Sequence, residues 1–205
     1  FQAMGYDDNM LEIIFLQQVN LFESGERVKM SKRAGKIVTM DDLINVVGKD
    51  AARYFFIARK ANAHLNFDLE LALQQNNENP VYYCQYAHAR ICSIIKKARK
   101  DKLWPKSFKQ ELITKLTKPE ELAIIQKLAD LPELLTLIAV HREPHRLSTY
   151  LEELAAMIHR YYAKYQIVSA KSKDLSHARL LLLDSTKTVM EIVFDLMGIS
   201  APEKM

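Results

Sequence analysis

Two cysteines are all that the 205 residues carry, so no disulfide framework holds this chain together. Cys84 and Cys92 lie eight residues apart on one expected helix. That is about 12 Å at roughly 1.5 Å per residue, and a bridge needs Cα atoms within about 7 Å. Reduced thiols and a cytoplasmic location are the expectation. No apolar run approaches the roughly 18–20 residues of a membrane span, so no membrane partner is expected. No secretory leader is legible at the start, where the first residue is Phe1. A P-loop, a dinucleotide fingerprint and a Ser-His-Asp order are all missing. His141 and His145 have the spacing of a metal pair, but Pro144 lies between them and no cysteine or third histidine is near. A helix boundary is expected there and no metal site.

What is present is an ordinary globular composition, 49% hydrophobic and 26% charged, with a formal net charge of +4. The length suits one large domain or two small ones with a real core. The mild basicity is compatible with a polyanionic partner without requiring one.

The most informative stretch is 79–100. Pro80 suits the first position of a helix, because its missing N–H is not needed there and its φ is already helical. No Gly or Pro follows until Pro105. On a helical wheel Val81, Cys84, His88, Ile91, Cys92 and Ile95 share one side, a core face with one histidine in it. Tyr83, Tyr86, Arg90 and Lys97 share the other. Flat rings stack on unpaired bases and cations hold phosphates. The helix ends in a basic run, and 81–109 carries eight Lys or Arg against one Asp. The same stripe also fits a half-buried packing face beside a solvated basic run, and these residues alone leave both readings open.

Around this helix the chain reads in order. Phe1 to Gly5 reads as the tail of a helix that began earlier, with Gly5 as its stop. The apolar, branched run Leu11 to Val19 reads as a buried strand. Leu21 to Val28 reads as a hairpin around Ser24-Gly25. Two or three strands make no stable sheet unaided, so this segment reads as the end of a larger domain. Thr39 with Asp42 forms a capping-type start for a helix over 40–47, with Gly48 as its stop. Asp50 opens a second helix over 51–60, and Asp68 caps a third over 69–75. Arg53 and Arg59 are candidates for RNA backbone or for plain surface arginines. After Pro105 only helices are expected: a weak one over 107–116, then 119–131, 133–142, 145–166 and 175–197. Together they form an antiparallel bundle with short connections.

Several landmarks carry a family resemblance. Lys29-Met30-Ser31-Lys32-Arg33 resembles the KMSKS signature of class I aminoacyl-tRNA synthetases, with Arg33 in place of the last Ser. Met30 to Gly35, followed by Lys36-Ile37-Val38-Thr39-Met40-Asp41-Asp42-Leu43, looks like the arginyl-tRNA synthetase version of that loop. Gly48 to Phe56 and Asn66 to Leu69 resemble the same family's linker helices. Asn79-Pro80-Val81-Tyr82-Tyr83-Cys84-Gln85-Tyr86-Ala87-His88-Ala89-Arg90 looks like the opening helix of its DALR-type anticodon-binding domain. His159 to Tyr165 resembles its later core. Ser176-His177-Ala178-Arg179 departs from the Asp-Ala-Leu-Arg lettering, and Ala201 to Met205 resembles the family's C-terminal end. The resemblance spans essentially the whole chain.

It implies a mainly α fold, an anticodon-binding bundle preceded by the end of a Rossmann-like α/β catalytic domain. The expected division is 1–36 for the catalytic end, 37–78 for connecting helices and 79–205 for the anticodon-binding domain. The implied activity is that of an arginine–tRNA ligase: ATP-dependent attachment of arginine to its tRNA through an adenylate, with Mg2+. Lys29 and Lys32 are the implied catalytic lysines, and Lys29, Met30, Ser31 and Lys32 the implied ATP contacts. An ammonium placed against charge developing on leaving phosphate oxygens lowers that barrier. The His-Ile-Gly-His signature is absent, so this chain alone is expected not to aminoacylate.

The expected partners are the arginine tRNA, arginine and ATP, the expected state a monomer, and no cofactor is expected bound here. Tyr83 and Tyr86 are expected to stack on anticodon-loop bases, Arg90 and Lys97 to hold phosphates, Asn76 and Asn79 to border the loop, and Met205 to pack on a base. Tyr82, Cys84 and His88 are assigned to packing, His88 bonded to a backbone group. Tyr83→Ala is thus expected to weaken binding more than Tyr82→Ala. The alternatives are a helical protein-interaction module without RNA function, and another class I synthetase of the cysteinyl or methionyl type.

Overall fold

The computed structural model describes residues 2–7, 10–28, 38–105, 107, 109–169 and 172–205. The implied ATP loop, with Lys29, Met30, Ser31 and Lys32, lies outside the described residues.

A three-stranded sheet opens the chain. Strand β1 (Val19–Glu23) pairs antiparallel with β2 (Glu26–Arg27) across the Ser24-Gly25 turn, and parallel with β3 (Leu65–Asp68). The order is β2-β1-β3. The parallel register sets Val19 opposite Leu65 and Leu21 opposite Phe67, which buries Leu21, Leu65 and Phe67. This corrects the expected strand over 11–19. Residues 11–18 have no regular structure, and Phe15 and Leu16 are 81% and 77% exposed. A strand needs a neighbour for its backbone groups. Gln17 N–H reaches the Ala61 carbonyl at 2.9 Å, but no ladder forms beside 11–18 among the described residues.

The connecting helices start where their caps are written. Helix α1 (Met40–Val47) has a complete capping box: Asp42 N–H donates to Thr39 Oγ1 at 3.1 Å, and Thr39 N–H donates to Asp42 at 2.9 Å. Gly48, with φ +82°, ends α1 and leads into α2 (Lys49–Ile57). Asp68 caps α3 (Leu69–Leu73) by accepting Leu71 N–H at 3.0 Å. The 37–78 segment thus supplies a strand as well as helices, and β3 shares its sheet with β1.

The bundle is built on α4 (Pro80–Lys100). Behind it come α5 (Pro119–Ala129), α6 (Leu131–His141), α7 (His145–Lys164) and α8 (Lys173–Met197). The weak helix expected over 107–116 is a 3-10 turn, Gln110–Lys115. α6 ends at His141 and α7 begins at His145, so those two histidines flank a helix boundary. α4 packs against α7, α8 and α2, while α5 packs against α7 and α8. Leu151, Leu154, Ile158 and Tyr161 of α7 are essentially inaccessible, as are Leu180, Met190 and Phe194 of α8. α2 joins this core through Tyr54, which is fully buried and whose hydroxyl donates to Glu152 of α7.

Candidate nucleic-acid interface

α4 divides as its wheel divides. Val81, Cys84, His88, Ile91, Cys92 and Ile95 are all buried. His88 Nδ1 donates to the carbonyl of Pro202 at 2.9 Å, so this histidine binds backbone as expected. The opposite stripe is partly open, because α7 covers only part of it. Two α7 residues, His159 and Tyr162, reach across to it.

The result is a chain of flat groups. The rings of Tyr82 and Tyr86 lie parallel, with centroids 6.1 Å apart and an 8° interplanar angle. Tyr86 continues onto His159 at 5.8 Å and 21°. Tyr83 turns toward the bundle, its ring 4.5 Å from His159 and packed against the core. Burial holds its hydroxyl pKa above the ordinary tyrosine value. The Arg90 guanidinium lies 4.1 Å from the Tyr162 centroid and 5.5 Å from that of Tyr86, a cation between two π faces. His159 has a pKa below its ordinary value, chiefly because it is buried and also because Arg90 is near. Its Nε2 donates to the Tyr83 carbonyl at 3.3 Å.

Tyr86, Arg90, Lys97, Tyr162 and Met205 line one cleft of about 720 Å³, with Lys96, Lys100 and Lys204 also in its wall. No Asp or Glu side chain lines it among the described residues. Flat rings beside an acid-free row of cations suit an anionic chain with unpaired bases. On the far side of Met205 a second cleft of about 650 Å³ is lined by Tyr82, Gln85, Asn79, Gln74 and Asp50. There Gln74 Oε1 is buried with no hydrogen-bond partner.

The structure therefore brings four of the expected contact residues together: Tyr86, Arg90, Lys97 and Met205. It treats the other three differently. Asn79 is 3% exposed and its amide is committed to backbone. It accepts Val81 N–H at 3.2 Å and donates to the carbonyls of Ala72 and Gln74 at 3.1 and 2.9 Å. It caps α4 rather than offering an amide to a base. Asn76 is exposed in the preceding loop, where its Oδ1 accepts Glu78 N–H at 2.8 Å, and it lines neither cleft. Tyr83 lines neither cleft, while Tyr82, assigned to packing, lines the second. Arg53 donates through Nε to the Met197 carbonyl at 2.8 Å and so closes the end of α8.

Tyr162, His159, Lys96, Lys100 and Lys204 stand beside the contact residues expected from the sequence and were not among them. His159 and Tyr162 are three apart on α7, the spacing of one helix face. Only the packing of α7 on α4 shows that this face, and not that of Tyr161, meets Arg90.

The family model described as the DALR anticodon binding domain matches residues 84–205. The chain is 47% identical over its whole length to an arginine–tRNA ligase of Heliobacterium modesticaldum, of which it covers 37%. It is 43% identical to that of Bacillus licheniformis, of which it covers 36%. The chain thus spans a little over a third of the length of these curated relatives. In three dimensions it superposes along its full length on 43% of a chain described as an arginyl-tRNA synthetase from Campylobacter jejuni, with TM-score 0.85 and 34% identity. The Thermus thermophilus arginyl-tRNA synthetase shares the fold at TM-score 0.71 and 24% identity, over 90% of this chain and 34% of that one.

Proposed function

The chain belongs to the family of DALR anticodon-binding domains, and we propose that its basic cleft binds the anticodon loop of an arginine tRNA as part of an arginine–tRNA ligase. The observation that carries this is the meeting of Tyr86, Arg90, Lys97 and Met205 on one wall without Asp or Glu, inside the matched domain. Tyr86 and Tyr82 offer stacking faces along one edge, each worth roughly 1–3 kcal/mol per base. Arg90 and Lys97 hold phosphates, with Lys96, Lys100 and Lys204 adding to the field. Met205 packs on a base at the mouth. Gln74 Oε1 gives the adjoining cleft an acceptor for an exocyclic amino group of a base. Tyr83 and Asn79 support the cleft, one under His159 and the other at the start of α4, while Asn76 stays in the loop before α4.

The parent activity belongs to the same proposal. The relatives named as arginine–tRNA ligases support ATP-dependent arginylation, with Mg2+, in which Lys29 and Lys32 act on the triphosphate and Met30 and Ser31 help to bind it. The division into 1–36, 37–78 and 79–205 and a cytoplasmic monomer complete the reading. No helix of the described residues is long and apolar enough to cross a membrane.

The test is titration of the chain with an anticodon stem-loop of an arginine tRNA. Tyr86→Ala and Arg90→Ala are each expected to weaken binding about tenfold or more, and Tyr83→Phe to leave it unchanged. Binding that ignores both alanines contradicts the assignment. Absence of any salt-dependent RNA affinity favours a protein-interaction module instead.

A further inference from the structure

The last eight residues after α8 do not trail away from the bundle. Gly198 turns the chain with φ +67°, and four side chains hold the backbone on either side of that turn. From α2, Arg53 Nε donates to the Met197 carbonyl, while Asp50 accepts Ser200 N–H at 3.2 Å and the Ser200 hydroxyl. These two α2 residues are three apart, on one face of the helix. From α4, Gln85 Nε2 donates to the Ser200 carbonyl at 3.0 Å and to Asp50 Oδ2 at 2.9 Å. One turn further on, His88 holds the Pro202 carbonyl. Gln85 and His88 are buried on the core side of α4, and Ile199 is buried with them. Beyond these anchors the chain continues to Met205, which is 51% exposed and borders both clefts, with Lys204 in the wall of the basic one.

We propose that Gln85 and Asp50 are positioning residues of the RNA cleft, acting through the tail: by fixing Ser200 between α2 and α4 they set where Lys204 and Met205 stand. The proposal rests on the reading of the cleft as an anticodon-loop site. Gln85 makes the point sharply. Both hydrogens of its amide are used inside the protein, toward Asp50 and Ser200, so no donor of Gln85 is left over for RNA in the cleft that it borders. Asp50 sits in the first turn of a helix outside the matched domain. The anchor therefore also joins the connecting segment to the cleft, and a shift of α2 is felt at Met205.

The experiment compares the 205-residue chain with Gln85→Met, which keeps the side chain's length and removes its donors. Each is also made in a form ending at Glu203. Two readouts are taken: affinity for the anticodon stem-loop, and hydrogen exchange of the amides of 199–201 against those of α7. Gln85→Met is expected to weaken binding about tenfold, near the loss of one well-placed contact. It should speed exchange in the tail while leaving α7 protected, and should have no further effect in the shortened form. The non-additivity is the signature of action through the chain end. An equal loss in the intact and shortened forms means that Gln85 acts directly and overturns the proposal. So does faster tail exchange with unchanged affinity, and so does a tail that stays protected. Failure of the unaltered chain to bind RNA overturns the underlying reading, and the positioning claim with it.

Discussion

Arg90 is the residue on which the cleft's geometry converges. Its guanidinium touches two rings contributed by two helices, Tyr86 of α4 and Tyr162 of α7. A planar delocalised cation stacks in that slot and still points donors outward, whereas an ammonium is a hydrated point charge with no plane. Arg90→Lys is therefore expected to weaken RNA binding about three- to tenfold although the charge is kept, as read by titration with the stem-loop. Equal affinity would mean that charge alone matters there.

His159 lies against the same group. It is packed by Tyr83, Tyr86 and Arg90, and its pKa is below the ordinary 6.5. The unfolded chain takes up the proton first as the pH drops. The stability drawn from the neutral ring is therefore complete above about pH 6.5 and is lost as the pH falls below that. His145 is lowered too and acts in the same direction. The carboxylates Asp42, Glu143 and Glu191 have pKa values below their ordinary ones near 4, so they lose their share only in stronger acid. Thermal unfolding between pH 7.5 and 5.5 should show a falling midpoint for the unaltered chain and a flatter one for His159→Phe. Parallel curves would show that His159 is not the titrating group.

At the scale of elements, the bundle is tied by a buried ion pair. Arg179 of α8 and Glu121 of α5, 8% and 0% exposed in their side chains, meet at 2.8 Å. Glu121 also accepts the Tyr161 hydroxyl at 3.0 Å and Lys118 N–H at 3.0 Å. Arg179 donates to the Gln166 carbonyl at 2.8 Å and lies over Tyr165. This network grips the last turn of α7 through Tyr161, and the next residue, Tyr162, is the one turned to Arg90. Removing one partner leaves a buried charge and is expected to cost roughly 3–5 kcal/mol. Urea unfolding of Glu121→Leu, Arg179→Leu and the double variant should give a combined loss smaller than the sum of the single ones. Additive losses would show that the two are not coupled.

The same scale separates what the chain's order made readable from what it hid. α4 was legible to the residue because its signals are local: Asn79 and Pro80 at the start, a 3.6 period through the middle, a basic run at the end. α1, α3 and α8 were legible through Thr39 with Asp42, Asp68 and Gly198. β3 was not, since four residues next to a helix cap become a strand only by pairing with β1, more than forty positions earlier. Residues 11–18 show the converse, an apolar, branched run without a neighbouring ladder among the described residues. In the site, Arg90 and Tyr86 could be named from one helix. Tyr162, and the placing of Tyr83 against His159 with Tyr82 beside the second cleft, depended on how α7 lies on α4.

For the whole molecule, a net charge of only +4 means that RNA affinity must come from a concentrated patch rather than an overall field. The patch is at hand in Arg90, Lys96, Lys97, Lys100 and Lys204 around one cleft. If three or four of them meet phosphates, log affinity should fall with log salt at a slope of about −2 to −3, near −0.7 per contact for a single strand. Loss of Lys97 should make that slope shallower by less than one. If charge carries the strength of binding while rings and Met205 carry the choice of bases, the two separate experimentally, because only the first responds to salt. The most direct measurement is binding of the chain to an arginine-tRNA anticodon stem-loop and to the same stem-loop changed at the middle anticodon base, at two salt concentrations. The account predicts that salt weakens both complexes in parallel while the preference for the unchanged loop persists. Equal affinity for the two loops at both concentrations, or no binding to either, would contradict it.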